Sequence, residues 1–230
     1  MNNTNEDWFR GDNWDEKTQE FFEQKLKRAR GSYSKSQYLK IKANYLLTSS
    51  NLNKQLEGYK LMERVISDYP TEISFVMFAF ERLGDYNLLV NQFDKAETYY
   101  RECVSLYKKK GRSGTSGIAD VKLAEVIFDT VQSKKYTEMY VLLIDDFANT
   151  GGSLILFEDK FRYNLILAKI SDSLMKNIES KKYAEKALKL SDLKTSQFQK
   201  YPDLGIVKTN NRDLNILNNI LEKTYNSPPA

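Results

Sequence analysis

The chain has 230 residues, 41% of them apolar, and 35 basic against 31 acidic side chains leave a net charge of +4. That excess is small and the charges interleave, which disfavours a dedicated nucleic-acid binder with its strongly basic face. Histidine is absent, removing the commonest general base and metal ligand, and the single cysteine, Cys103, forms no internal disulfide and suits a reducing compartment.

Residues 1–10 lack a basic segment followed by an apolar run, so no secretory signal is expected. No window reaches the roughly 18 consecutive apolar residues of a membrane span, and a cytoplasmic location without membrane contact follows as the expectation. The first predicted element is an amphipathic helix over 13–30. Asp12 or Asn13 is placed to cap it, Trp14, Phe21, Phe22, Leu26 and Ala29 form its stripe, and Lys27, Arg28 and Arg30 fill its last turn ahead of Gly31.

The most legible segment lies further on, over residues 77–110. Phe80, Leu83-Gly84, Phe93, Ala96, Tyr100 and Cys103-Val104 stand at spacings 3, 1, 9, 3, 4, 3 and 1. This is the pattern of two helices folded against each other, with a small residue, Gly84, at the close approach, Phe93 plugging the turn and Ala96, Tyr100 and Cys103 on the inward stripe. Transposed backward, the frame predicts a hairpin over about 34–69, with Tyr38, Ile41, Tyr45 and Leu46 on its first helix and a turn at 48–53. Met62 and Val65-Ile66 lie on its second helix, and Gly58 is again the small residue. Forward, Leu123, Ile127, Tyr136, Met139, Leu143 and Phe147 repeat the frame with a turn at 132–135, although Asp146 stands where Cys103 stands. A fourth unit begins near Glu158, with Leu167-Ala168, Ala184 and Ala187-Leu188 in register.

Successive frames are offset by 38, 43 and 41 residues, longer than the roughly 34 of a standard repeat. Residues 197–209 carry Pro202 and Gly205 and no stripe, and read as a loop. Leu214, Leu217, Leu221 and Tyr225 then predict a closing helix over 211–225, followed by a frayed tail at 226–230.

These residues resemble tetratricopeptide-repeat proteins, most firmly over 77–110 and more loosely over 34–193. Trp8-Phe9, Trp14, Phe21-Phe22, Lys25-Leu26, Arg28-Ala29-Arg30 and Gln37-Tyr38-Leu39 are similar to the opening of a group of bacterial tetratricopeptide-like proteins. The resemblance implies an all-α fold: one domain over 1–230, an α-solenoid of about four helical hairpins with N- and C-terminal capping helices. It also implies a concave groove, lined by the first helix of each hairpin, that binds another protein or peptide. The groove positions are Lys40 and Asn44; Glu81, Arg82 and Asp85; Glu125, Phe128 and Gln132; and Arg162, Lys169 and Asp172. Glu81, Asp85 and Glu125 interrupt the basic set that would clamp a partner's terminal carboxylate.

Three further features are weighed against ordinary surface. The glycine-rich run 111–117 precedes a helix and offers backbone N–H groups to an anion, but Ile118 replaces the lysine of a phosphate-binding loop and no strand precedes it, so it reads as a flexible connector. Asp145-Asp146 and Glu158-Asp159 are adjacent carboxylates, and neighbours on a helix point about 100° apart, so neither pair converges on one atom. No cofactor is implied. The leading functional expectation is a non-catalytic protein-binding scaffold, in its specific form an immunity or antitoxin-type protein that covers a bacterial toxin. A peptide-sensing regulator is the alternative, and a carboxylate-dependent enzyme the third reading.

Overall fold

The computed structural model describes residues 7–202 and 204–223, and helices dominate them with no strand among them. Contacts gather into two units, one running to Ser116 and the other from Gly117. The first holds α1 (Glu16–Arg28), α2 (Ser32–Leu47), α3 (Leu52–Asp68), α4 (Ile73–Leu89) and α5 (Phe93–Lys110). The second holds α6 (Ala119–Asp129), a 3₁₀ turn (Ser133–Lys135), α7 (Tyr136–Val141), a π-turn (Leu142–Asp146), α8 (Phe147–Asn149), α9 (Phe157–Ser173), α10 (Asn177–Ser191) and α11 (Asn211–Glu222).

In the first unit α2 pairs with α3 and α4 with α5, and the predicted small residues lie at both close approaches. A Cβ on Gly58 would lie 2.7 Å from the Leu47 nitrogen and 2.8 Å from the Ala43 carbonyl oxygen. A Cβ on Gly84 would lie 2.5 Å from the Tyr100 ring, which is fully buried and donates its hydroxyl to Asp85 at 2.8 Å. Ala96, Tyr100, Cys103 and Tyr107 form the inward stripe of α5. Phe93 is a correction: at the first position of α5 it is 36% exposed, so it covers the turn at its edge instead of plugging it.

The first helix is shorter than its predicted 13–30. Asp15 is the N-cap, accepting the Thr18 N–H at 2.8 Å, and Ala29 is already extended. The segment ahead of the cap is held away from helical geometry by Lys42, whose ammonium donates to the carbonyls of Gly11 at 3.0 Å, Arg10 at 3.3 Å and Asn13 at 3.5 Å. Trp8, Phe9, Trp14, Phe22 and Tyr38 stack around this strap and hold α1 against the hairpins.

In the second unit α9 pairs with α10, and α11 closes over both. Val207, in the predicted loop, is buried with Leu217, Ile220, Ala184 and Ala187, so the irregular stretch contributes to the core. Asn210 caps α11. Tyr225 and the tail at 226–230 lie outside the described residues.

The third hairpin's mismatch at Asp146 is resolved by the π-turn. Its wider winding rotates the stripe, so that Phe147 takes the buried place and Asp146 turns partly to solvent. Tyr163 secures that turn: its hydroxyl donates to the Leu143 carbonyl at 2.7 Å, and its ring lies 5.1 Å from that of Phe147.

Three hairpin turns share one backbone device. Asn91, Val131 and Met175 have φ of 58°, 56° and 56°, and the next residue's N–H returns to a carbonyl five residues back: Gln92 to Asn87 at 2.8 Å, Gln132 to Ile127 at 3.0 Å, and Lys176 to Ser171 at 2.8 Å. Recurrence of this turn at positions 91, 131 and 175 is a repeat visible in the backbone itself. Val131, β-branched, is the most strained of the three.

Gly84→Leu is expected to cost about 1–3 kcal/mol by overpacking against Tyr100. Cys103→Ala, which removes one atom from the stripe, is expected to cost about 1 kcal/mol. Thermal and urea midpoints check both, and equal midpoints would place the close approach elsewhere. Val131→Gly is expected to raise stability by about 1 kcal/mol, because the left-handed conformation no longer opposes a side chain that is 75% exposed and packs little. A lower urea midpoint would contradict it.

Candidate functional site

The groove candidates separate into those whose side chains are committed within the fold and those left open. In the first unit Lys40 lies on α2, its ammonium 4.8 Å from the ring centres of both Phe75 and Phe78 on α4. It has no carboxylate partner and no hydrogen bond among the described residues, and burial pushes its pKa down. One turn along the same helix the Asn44 side-chain oxygen is buried without a donor. The strip continues outward at both ends, with exposed Tyr33 packed 5.0 Å from Phe75 and the Arg82 guanidinium 5.2 Å from Phe78. Cations over aromatic faces gain roughly 0.5–2 kcal/mol, which compensates part of the lost hydration.

Asp85 is committed to Tyr100 and, at 3.4 Å, to Arg82. Glu81 is 3% exposed and accepts the Ser116 N–H at 2.8 Å together with the Ser116 hydroxyl. This corrects the reading of 111–117 as a flexible connector. Within the run, Gly114 packs against the Ser74 carbonyl, the Arg112 guanidinium lies 4.5 Å from the Tyr107 ring centre, and Thr115 and Tyr107 share a 3.2 Å hydrogen bond. The donors at its end already hold an anion, the carboxylate of Glu81.

In the second unit the candidates form internal pairs. Arg162 donates to both oxygens of Glu125, through Nε at 2.9 Å and through a shorter contact from Nη2. Burial opposes the charge of Arg162, yet pairing with Glu125 outweighs it and raises its pKa. Lys169 reaches Asp213 at 2.6 Å, and Asp172 accepts from Lys223 at 2.5 and 2.6 Å, so both tie α9 to α11. Phe128 stacks on Tyr136 at 5.2 Å, and the Gln132 amide donates to Thr130 at 2.9 Å. Glu125 and Phe128 lie on α6 and Arg162, Lys169 and Asp172 on α9, while Gln132 lies in the turn after α6; the partners Asp213 and Lys223 are distant in the chain and carry no repeat signal.

Lys42 was missed. Its signal was present: it stands in the core register of Leu39, Ala43 and Leu46, where a lysine is out of place. The structure leaves it 1% exposed, with three carbonyls and the Trp14 ring around its ammonium. Burial lowers its pKa while Asp12 opposes the shift.

Among the described residues no three carboxylate or thiol side chains gather closely enough to hold a metal ion, and no helix is long and apolar enough to cross a membrane. No family model, curated protein or solved structure matches the chain.

The two groove arginines are expected to respond differently to charge reversal. Arg162→Glu sets two carboxylates against each other where the pair is largely withdrawn from water, and should cost about 2–4 kcal/mol. Arg82→Glu, at a side chain 42% exposed, should change stability by about 0.5 kcal/mol or less. Urea denaturation of the two variants checks the contrast, and equal losses would refute it.

Proposed function

We propose that the chain is a non-catalytic, tetratricopeptide-like α-solenoid that binds another protein or peptide through the α2–α4 face around Lys40. The observation that carries this reading is a cation held between two aromatic rings that, among the described residues, has no anion of its own, beside a buried amide oxygen with no donor there. A partner carboxylate at Lys40 and a partner N–H at Asn44 satisfy both, and the aromatic strip from Tyr33 to Arg82 supplies apolar area around them. The adopted form is an immunity or antitoxin-type role, in which a rigid helical face covers an acidic patch on a toxin. The alternative, a regulator that senses a short peptide, rests on Asn44, whose buried oxygen suits the main-chain N–H of an extended ligand.

Recognition is assigned to Lys40 and not to Arg162 or Lys169, because the latter two spend their charge within the fold. The test is capture of partners from native extract on immobilised wild-type protein, Lys40→Glu and Asn44→Ala, with circular dichroism on each variant. The expected outcome is a partner retained by wild type, lost on Lys40→Glu and weakened roughly tenfold on Asn44→Ala, consistent with loss of one buried hydrogen bond. A partner that binds Lys40→Glu as tightly as wild type overturns the assignment. For the adopted form, co-expression should relieve the toxicity of the captured partner, and Lys40→Glu should abolish that relief.

A further inference from the structure

A second feature lies on another side of α2. Lys35 and Lys40 are five residues apart, about 140° around the helix, so what surrounds Lys35 is separate from the aromatic strip. There, beside the point where Phe22 packs on the Trp8 and Trp14 rings and its neighbour Glu23 pairs with Arg64 at N–O distances of 2.6 and 3.3 Å, a gap opens between α1 and the α2–α3 hairpin. The gap is a cleft of about 400 Å³ whose lining includes Glu23, Leu26, Lys27, Lys35, Arg64 and Tyr69. That volume falls within the roughly 300–1,000 Å³ of small-ligand pockets.

The charges in this cleft do not balance. Glu23, its one carboxylate, is already satisfied by Arg64, which also lies 3.6 Å from Asp68 outside the lining. Among the described residues Lys27 and Lys35 form neither an ion pair nor a side-chain hydrogen bond, and the Tyr69 hydroxyl has no hydrogen-bond partner. Leu26 is buried and the Tyr69 ring half-buried, giving the cleft an apolar wall beside its cationic rim. Burial raises the Tyr69 pKa, keeping its phenol a neutral donor at physiological pH. The Glu23–Arg64 pair displays the chemistry that the cleft accepts, a carboxylate held by side-chain donors, and two further cations and a hydroxyl remain open to another.

We propose that this cleft is a second recognition site, which takes an acidic segment of a partner protein by holding a carboxylate with Lys27, Lys35 and the Tyr69 hydroxyl. An apolar side chain next to that carboxylate packs against Leu26 and the Tyr69 ring. A nucleic-acid strand fits less well, because Glu23 and Asp68 flank Arg64 and repel a continuous run of phosphates. The site uses none of the residues of the α2–α4 face, so it stands or falls independently of the function proposed above.

Fluorescence anisotropy on the full chain tests it, with a fluorescein-labelled amidated peptide alternating aspartate and leucine, and with its asparagine-for-aspartate counterpart. The acidic peptide is expected to bind and its counterpart to fail. Lys27→Glu with Lys35→Glu, at an exposed and a half-buried position outside the core, should weaken binding by about tenfold or more. Tyr69→Phe should weaken it roughly threefold, while Lys95→Glu, at an exposed position on α5 away from the cleft, leaves it unchanged. Circular dichroism confirms that each variant is folded. Four results would overturn the proposal: no binding of the acidic peptide, equal binding of the asparagine peptide, undiminished binding to the double variant, or loss of binding in Lys95→Glu. Displacement of the peptide by inorganic phosphate or by single-stranded DNA at equal charge concentration would also overturn it, in favour of a general anion site.

Discussion

The hairpins of this protein depend on how closely two helices can approach when one presents no side chain at the crossing. At Gly58 the space for a Cβ is occupied by the backbone of α2, and at Gly84 by the Tyr100 ring. Because Tyr100 fills that space, its hydroxyl reaches Asp85 on the helix that carries Gly84, and one contact fixes both separation and rotation. In the second unit Ala168, Ala184 and Ala187, all fully buried, keep small side chains where α9 meets α10. A larger residue at such a point would be felt along the hairpin, since interiors packed at crystal density absorb volume by displacing helices.

A second constraint is the internal use of charge. Most of the charged candidates are engaged by residues from elsewhere in the fold: Glu81 by Ser116, Glu125 by Arg162, Lys169 by Asp213 and Asp172 by Lys223. These pairs orient loops and the closing helix more than they add stability, because pairs withdrawn from water give back much of their attraction in lost hydration. Against that background, cations without an acidic partner are informative. Among the described residues Lys40, Lys27 and Lys35 are such cations, and Lys42 shows the contrasting solution of a buried ammonium turned onto backbone carbonyls.

The helices and their turns were largely legible in the sequence, because helical periodicity is a local property and the hairpin frame repeats it. The hairpins at 34–69 and 77–110, the turn at 132–135, the loop at 197–209 and the closing helix all have counterparts in the structure. The errors have local causes too. The first helix starts late because its leading residues are drawn to Lys42. Asp146 escapes the core through a π-turn that periodicity does not encode, and the run at 111–117 is ordered by a buried glutamate 35 residues earlier in the chain.

The sequence alone determined the helical periodicity, the absence of imidazole chemistry and the small residues at the helix crossings, since each follows from residue type and short-range spacing. Only the tertiary structure decided which of the ten polar side chains among these candidates remain open to a partner. The physical reason is that a charge is neutralised by whatever comes within a few ångströms in space. For Lys169 that group lies on α11, for Asp172 at the residue that ends α11, for Arg162 on α6, and for Lys40 among the described residues it is two aromatic rings and no anion.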